Sequence, residues 1–229
     1  MPPLRHSMRG CTNLQASRSK LLKKDVFGRT ELSDSGTGPV ILRDAGAARL
    51  PLRWIARHLL AREARALAVL ESLPGVPELI RVTHEVLERQ YFNGVPMQEG
   101  KPADVGYFNA ASRLLRQLHR RGIVHNDLAK EPNFLLLPDG QPAIIDFQLA
   151  WFSARRGRLF RLLAREDIRH LLKHKRTYCP ERLTIREKNI LANPSVPARL
   201  WMKTGKPVYL FVTRRLLGWE DREGAGDRV

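Results

Sequence analysis

A short apolar hairpin flanked by polar side chains, in residues 125–148, constrains the fold of this chain more than any other segment. The apolar runs 134–137 and 143–145 are short enough for two buried strands, and a Pro-Asp-Gly turn separates them. The two open ends of a hairpin lie side by side, so Asn133 and Asp146 should meet at one end of the paired strands. Mg²⁺ prefers hard oxygen ligands and keeps water and phosphate in its shell. The sequence therefore predicts a site for a divalent cation.

The residues before the hairpin complete an ordered set. His125 and Asp127 precede Asn133, and Asp146 is followed by Phe147. In kinase-like enzymes a first carboxylate orients or deprotonates the attacking hydroxyl, while an Asn and a second carboxylate hold Mg²⁺ against the nucleotide phosphates. The alternative is a hairpin with ordinary polar loop residues. The order of the whole set favours the catalytic interpretation over that alternative.

On these residues, the chain resembles the protein-kinase-like superfamily over residues 26–150. It is most similar to the small atypical RIO-like kinases and to compact bacterial serine/threonine kinases. It resembles sugar kinases, lipopolysaccharide-core kinases and aminoglycoside phosphotransferases more distantly. The resemblance implies an α+β, two-lobed protein-kinase-like fold with a small β-rich N-lobe and a reduced helical C-lobe. It also implies that ATP and Mg²⁺ bind between the lobes and that the γ-phosphoryl group moves to a hydroxyl acceptor, first of all a protein serine or threonine.

The domain organisation expected from this resemblance has three parts. They are a basic tail or first strand at 1–25, an N-lobe at 26–95, and a C-lobe at 96–229 that contains the catalytic loop 123–133 and the metal-binding segment 146–148. Apolar residues at helical spacing predict helices over 52–71 and 104–121. A turn at 92–96 is the expected hinge between the lobes.

The resemblance also implies a role for each candidate site residue. Asp127 is the expected catalytic carboxylate, and Lys130 would neutralise charge on the transferring phosphoryl group. Asn133 and Asp146 are the expected metal ligands. Arg43 would contact the nucleotide phosphates and Glu63 would pair with it. For Lys130 an exposed loop lysine remains an alternative, and for Glu63 a place in a solvated stripe with two neighbouring arginines.

Several features depart from the pattern of the superfamily. Five residues, not four, separate Asp127 from Asn133, so the loop must bulge or Asn133 is not a metal ligand. Arg43 stands where a lysine is usual, and Gln148 stands where Asp-Phe-Gly would place the glycine. No Gly-x-Gly-x-x-Gly occurs before Arg43, and no Ala-Pro-Glu follows Asp146. A pseudokinase that binds partners without turnover therefore stays open as an alternative.

Charge is the second global signal. Forty Lys and Arg against 23 Asp and Glu give a formal net charge of +17. Such a field attracts nucleic acid, anionic membrane surfaces and phosphorylated glycolipids. A basic helix with an apolar side and a cationic side is predicted over 158–175; the residues of its cationic side are Arg158, Arg161, Arg165, Arg169 and Lys173. His170 and His174 lack the Glu of a zinc protease motif and are predicted to be solvated. RNA or an anionic membrane surface is the expected partner of this helix, and an Arg-rich composition without a dedicated partner is the alternative.

The remaining sequence features concern location. Cys11 and Cys179 lie far apart without metal-ligand spacing, which suits a reducing cytoplasm. The first residues lack the apolar segment of a signal peptide, and no apolar run is long enough to span a membrane. The expected location is the cytoplasm, with peripheral association at the inner membrane left open.

Overall fold

The amino-terminal part of the chain is a five-stranded antiparallel sheet with one long helix. This computed structural model describes residues 19–36 and 38–193. The strand order is β1-β2-β3-β5-β4. The strands are β1 Lys20–Asp25, β2 Gly28–Asp34, β3 Pro39–Asp44, β4 Leu79–Val82 and β5 Val86–Gln90. β3 lies in the middle, where Ile41 faces Arg89 and Arg43 faces Leu87 on β5.

The helix α1, Arg53–Val69, covers one face of this sheet. A small core forms between them; its buried residues are Ala45, Ala48, Ala56, Leu60, Ala64 and Leu87. Burial of this apolar stripe, more than intrinsic propensity, stabilises a helix of this length. Glu63 lies on the same buried side of α1, and a charge in that position requires partners.

The carboxy-terminal part is built on two long helices, α3 Val105–Arg120 and α4 Arg158–Tyr178. The shorter helices are α2 Met97–Gly100 and α5 Ile185–Ala192. Two small antiparallel sheets join them, with orders β6-β8-β9 and β10-β7. Their strands are β6 Val95–Pro96, β7 Ile123–Val124, β8 Phe134–Leu136, β9 Pro142–Ile144 and β10 Trp151–Phe152.

The main hydrophobic core holds the hairpin against α3. Phe108, Leu115 and Leu118 of α3 are buried together with Phe134 and Ile144 of the hairpin. The Asp104 side chain caps α3 by accepting a hydrogen bond from the Gly106 amide. Gly122 ends the helix with a φ of 79°, and a Cβ there would lie 2.8 Å from the Ser153 carbonyl oxygen. Only glycine therefore turns the chain into β7 without strain.

Helix α4 differs from its prediction as a partly solvated cationic helix. Arg169 is buried and pairs with Glu166 at 2.7 Å. His174 is buried as well, and its Nε2 lies 2.8 Å from the Leu128 carbonyl oxygen. Burial lowers the pKa of His170 to about 4. The prediction of a solvated position is wrong for His174, and His170 is partly buried. The reason is that α4 packs against α3, α5 and the loop before β8.

Some expectations fall outside the described residues. These are most of the predicted basic tail at 1–25, Cys11, and everything predicted for the segment that follows residue 193. Cys179 is described as a free, buried thiol.

None of the helices in the described ranges combines the length and the apolarity that crossing a membrane would take.

Candidate phosphoryl-transfer site

The loop between β7 and β8 closes on Asp127. Lys130 Nζ lies 3.2 Å from Asp127 Oδ2. The Asn133 side-chain amide donates to the Asp127 carbonyl oxygen at 2.8 Å and to Asp127 Oδ2 at 3.2 Å. The structure thus brings these three predicted residues into one hydrogen-bonded group. The Asn133 nitrogen faces Asp127, so its amide oxygen is the atom that could ligate a cation.

The extra residue between Asp127 and Asn133 is absorbed in a tight turn. Glu131–Asn133 forms a single 3-10 turn just before β8. Glu131 is buried, and its Oε2 accepts a hydrogen bond from the Tyr178 hydroxyl of α4 at 2.7 Å. The longer loop therefore bulges toward α4, and Asn133 stays in contact with Asp127.

Asp167 of α4 anchors the start of the same loop. Its two carboxylate oxygens accept hydrogen bonds from the backbone amides of His125 at 2.8 Å and Asn126 at 3.0 Å. The same carboxylate lies 3.2 Å from His119 Nε2. Asn126 adopts a left-handed φ of 66°, a conformation that persists where the surroundings determine it. The sequence analysis missed Asp167, because it stands in a run of charged helix residues with no motif of its own.

His125 connects the two ends of the site. Its Nδ1 accepts the Asp127 backbone N–H at 3.3 Å, so its Nε2 carries the hydrogen that it donates to the Ile145 carbonyl oxygen at 3.0 Å. Its ring lies 4.8 Å from that of Phe147, centroid to centroid. His125 therefore ties the catalytic loop to the segment that carries Asp146.

Asp146 follows β9 in a strained backbone conformation. Its φ is 65°, in the left-handed region that few residues other than glycine adopt. Its Oδ1 accepts a hydrogen bond from Gln148 Nε2 at 2.7 Å and lies 3.9 Å from Arg43 Nη1. The buried Phe147 ring fixes the following turn. Strain of this kind is found at functional sites, where neighbouring contacts hold it.

A buried carboxylate, Glu63 of α1, binds two arginines of the sheet. Arg43 Nη1 lies 3.4 Å from its Oε2, and Arg89 Nε lies 3.3 Å from its Oε1. Only 1% of Glu63 is exposed, so the solvated stripe that was the alternative for this residue is wrong. Burial raises the pKa of Glu63, while Arg43 and Arg89 act against this effect. Arg89 was not predicted as a site residue. It lies two residues beyond Leu87 on β5, so both side chains are on the inward face of the strand, but only the strand register shows which face is inward.

The two groups of residues form one electrostatic unit. Burial raises the pKa of Asp127, the charge of Asp146 raises it further, and Lys130 lowers it. Asn133 contacts Asp127 at 3.2 Å, Arg43 Nη1 lies 3.9 Å from Asp146 Oδ1, and the charge of Asp146 acts on Asp127. Asn133 and Asp146 have the oxygen chemistry of Mg²⁺ ligands, and Arg43 can bind phosphate oxygens. The donor set fits a metal–nucleotide complex in which phosphates and water complete the shell.

Comparison with known proteins identifies the fold. No protein-family model matches this chain, and no curated protein matches it in sequence. Among solved structures, a Rio2 kinase from Chaetomium thermophilum superimposes with a TM-score of 0.58 and 14% identity, covering 76% of this chain and 61% of the kinase. A Rio2 kinase–ADP/Mg²⁺–phosphoaspartate complex from the same organism gives a TM-score of 0.55 and 15% identity, with 76% and 60% covered. This chain thus spans about three fifths of those kinases, and its sheet-based amino-terminal part and helical carboxy-terminal part form a protein-kinase-like α+β fold.

Proposed function

We propose that this protein is an ATP- and Mg²⁺-dependent phosphotransferase that moves the γ-phosphoryl group to a hydroxyl acceptor. The observation that carries the proposal is the joint placement of Asp127, Lys130 and Asn133 in one hydrogen-bonded loop, with Asp146 close enough for its charge to act on Asp127. The likeness to Rio2 kinases supports it through the fold alone.

Each residue has a role in this proposal. The Asp127 carboxylate orients the acceptor hydroxyl and accepts its proton; in a loose transition state, positioning is the larger contribution. Lys130 offsets charge on the transferring group. Arg43 binds phosphate oxygens of the nucleotide, and Glu63 holds Arg43 in place. Mg²⁺, held by Asn133 and Asp146, would neutralise the phosphate charge.

The proposed acceptor is a serine or threonine of a protein, on the basis of the resemblance to RIO-like kinases. A lipopolysaccharide-core sugar or another small molecule is the alternative acceptor. A pseudokinase is supported by a different observation, namely that two carboxylate oxygens of the site already have partners within the protein. Asp127 Oδ2 contacts Lys130 and Asn133, and Asp146 Oδ1 accepts a hydrogen bond from Gln148. Turnover requires that ATP and Mg²⁺ displace some of these contacts.

Incubation of the purified chain with γ-labelled ATP and Mg²⁺ tests the proposal. Label should appear as phosphoserine or phosphothreonine in a fractionated extract or on the chain itself. Recovery in the lipid or sugar fraction would replace the protein acceptor with the alternative one. Aspartyl phosphate should also be scored by its sensitivity to hydroxylamine, because one structural neighbour is a phosphoaspartate complex.

A matched pair of variants makes this experiment specific. Asp127→Asn should lower transfer by about 10²- to 10⁴-fold, the usual contribution of a catalytic acid–base group. Asp139→Asn is the control, because Asp139 lies exposed in the turn at the far end of the same hairpin. ATP binding without any transfer or hydrolysis by the parent protein would establish the pseudokinase instead.

A further inference from the structure

A groove lined by arginines lies between α3 and α4, apart from the candidate phosphoryl-transfer site. It is a depression wide open to solvent, with a volume of about 580 Å³. Six exposed arginines line it, two from α3, two from the loop before α4 and two from α4 itself: Arg116, Arg120, Arg155, Arg156, Arg161 and Arg165. We call this cavity the arginine groove. None of its arginines belongs to the predicted site.

The part of the chain that the structure describes does not neutralise the charge of the arginine groove. Within residues 19–36 and 38–193, no carboxylate forms an ion pair with any of the six arginines; their hydrogen bonds go to the Ser112 hydroxyl and to the carbonyl oxygens of Arg120 and Asn193. The nearby acidic residues of α4 are engaged elsewhere. Glu166 pairs with the buried Arg169, and Asp167 holds the catalytic loop. Six like charges around one cavity repel each other, and an anionic occupant would relieve that repulsion.

The chemistry of the groove favours a nucleic-acid strand. All six cations are arginines, whose planar guanidinium binds phosphate through two parallel hydrogen bonds and stacks on bases, as lysine does not. The lining between them includes apolar side chains of α4: the partly exposed Ile168 and the edges of the largely buried Phe160 and Ala164. Apolar side chains among guanidinium groups suit unpaired bases, which present both apolar faces and phosphates to a protein surface. Single-stranded nucleic acid binds to such combinations of cationic groove and apolar contact.

We propose that the arginine groove binds single-stranded RNA, with the phosphates on the guanidinium groups and bases against the apolar lining. The proposal does not depend on catalysis. The sequence predicts a docking face along α4 alone, but Arg169 of that face is buried. The arginine groove takes its place, and two helices and a loop form it together.

Binding of the full-length chain to a short fluorescein-labelled oligouridylate, measured by anisotropy as a function of salt, tests this proposal. The triple variant Arg120→Gln, Arg161→Gln, Arg165→Gln should weaken binding about tenfold or more at low salt and reduce the slope of log K against log salt by about 2, because each phosphate contact on a single strand contributes about 0.7. The control is Arg113→Gln, Arg176→Gln, Arg186→Gln, which removes the same charge from exposed positions on α3, α4 and α5 outside the groove. The control should keep the parental slope.

Three outcomes would overturn the proposal. They are equal weakening by both triple variants, absence of RNA binding by the parent chain, and groove-dependent binding to phosphatidylglycerol vesicles in place of RNA. Ultraviolet crosslinking of the parent chain to RNA keeps the test decisive if the groove variant does not fold. Crosslinks should fall in peptides that contain residues 116–120 or 155–165, and crosslinks confined to other peptides would contradict the assignment.

Discussion

At the scale of single residues, the candidate site depends on the Asp127 carboxylate, which has both a positively and a negatively charged neighbour. Burial raises the pKa of Asp127, Asp146 adds to this rise, and Lys130 at 3.2 Å opposes it. In the proposed reaction, the carboxylate form of Asp127 accepts the proton of the acceptor hydroxyl. The rate should therefore fall, as pH decreases, at a higher pH than an ordinary aspartate would give.

The first prediction concerns the acid limb of the pH–rate profile, which is the fall in rate at low pH. Lys130→Met removes the cation that lowers the pKa of Asp127, so the acid limb of the pH–kcat profile should move to higher pH and kcat should fall. The profile should be measured beside that of Lys188→Met, an exposed lysine of α5. A limb that stays in place in the Lys130 variant would mean that Asp127 does not control it.

The second prediction concerns the guanidinium that stands where a lysine is usual. Arg43→Ala should raise the KM for ATP about tenfold and lower kcat, because the phosphates lose their positioning group. Arg29→Ala, at an exposed arginine of β2, should leave both constants unchanged. An unchanged ATP dependence in the Arg43 variant would assign the phosphates to another cation.

At the scale of elements, α4 supports both ends of the loop between β7 and β8. Asp167 accepts two backbone amides where the loop begins, and Tyr178 holds Glu131 where it ends. Asp167 and Tyr178 lie eleven residues apart on one helix, so the helix fixes the distance between the two ends of the loop.

The third prediction tests the first of these supports. Asp167→Asn leaves one backbone N–H of the loop facing an amide nitrogen in a buried place, which should cost about 1–3 kcal/mol of unfolding free energy. It should also lower kcat more than it raises the KM for ATP, since Asp127 loses its orientation. Asp104→Asn is the control, because asparagine caps a helix as well as aspartate does. Denaturant unfolding and steady-state kinetics measure both effects, and full activity of the Asp167 variant would exclude the positioning role.

At the scale of the whole molecule, the sheet-covering helix α1 joins the two parts of the chain. Arg62 of α1 donates to the carbonyl oxygens of Leu149 at 2.9 Å and Ala150 at 3.0 Å, just beyond Asp146. Arg43 on β3 and Asp146 approach each other across the same boundary. The placement of Asp146 relative to the sheet therefore depends on α1.

The fourth prediction separates this junction from local stability. Arg62→Ala should lower kcat and raise the Mg²⁺ concentration needed for half-maximal rate, because the turn after Asp146 loses its contact with α1. Arg65→Ala, at an exposed position one turn along, should change neither. Titration of Mg²⁺ at saturating ATP measures the effect, and equal behaviour of the two variants would assign no role to the junction.

The local pattern of the sequence was enough for the hairpin and the long helices, whereas the fold class came from the resemblance to kinase-like proteins. Residues 134–137 and 143–145 were predicted as paired strands, and the structure pairs Phe134–Leu136 with Pro142–Ile144. Helices predicted over 52–71 and 104–121 run over Arg53–Val69 and Val105–Arg120. These elements follow from apolar spacing and from turn residues, which are local properties of the chain.

Tertiary structure alone decided which charged residues are buried and with what partners. Arg89, Asp167 and Glu131 carry no motif, and each gains its role from a residue more than twenty positions away in the chain. Arg169 of the predicted cationic side is buried, and the solvated position predicted for His174 was wrong, because charge periodicity cannot show that a helix packs on several sides. The sequence by itself determined where the reactive residue types stand along the chain. Packing decided which of them come into contact. Burying a charge costs free energy, and only partners that the fold places beside the charge offset that cost.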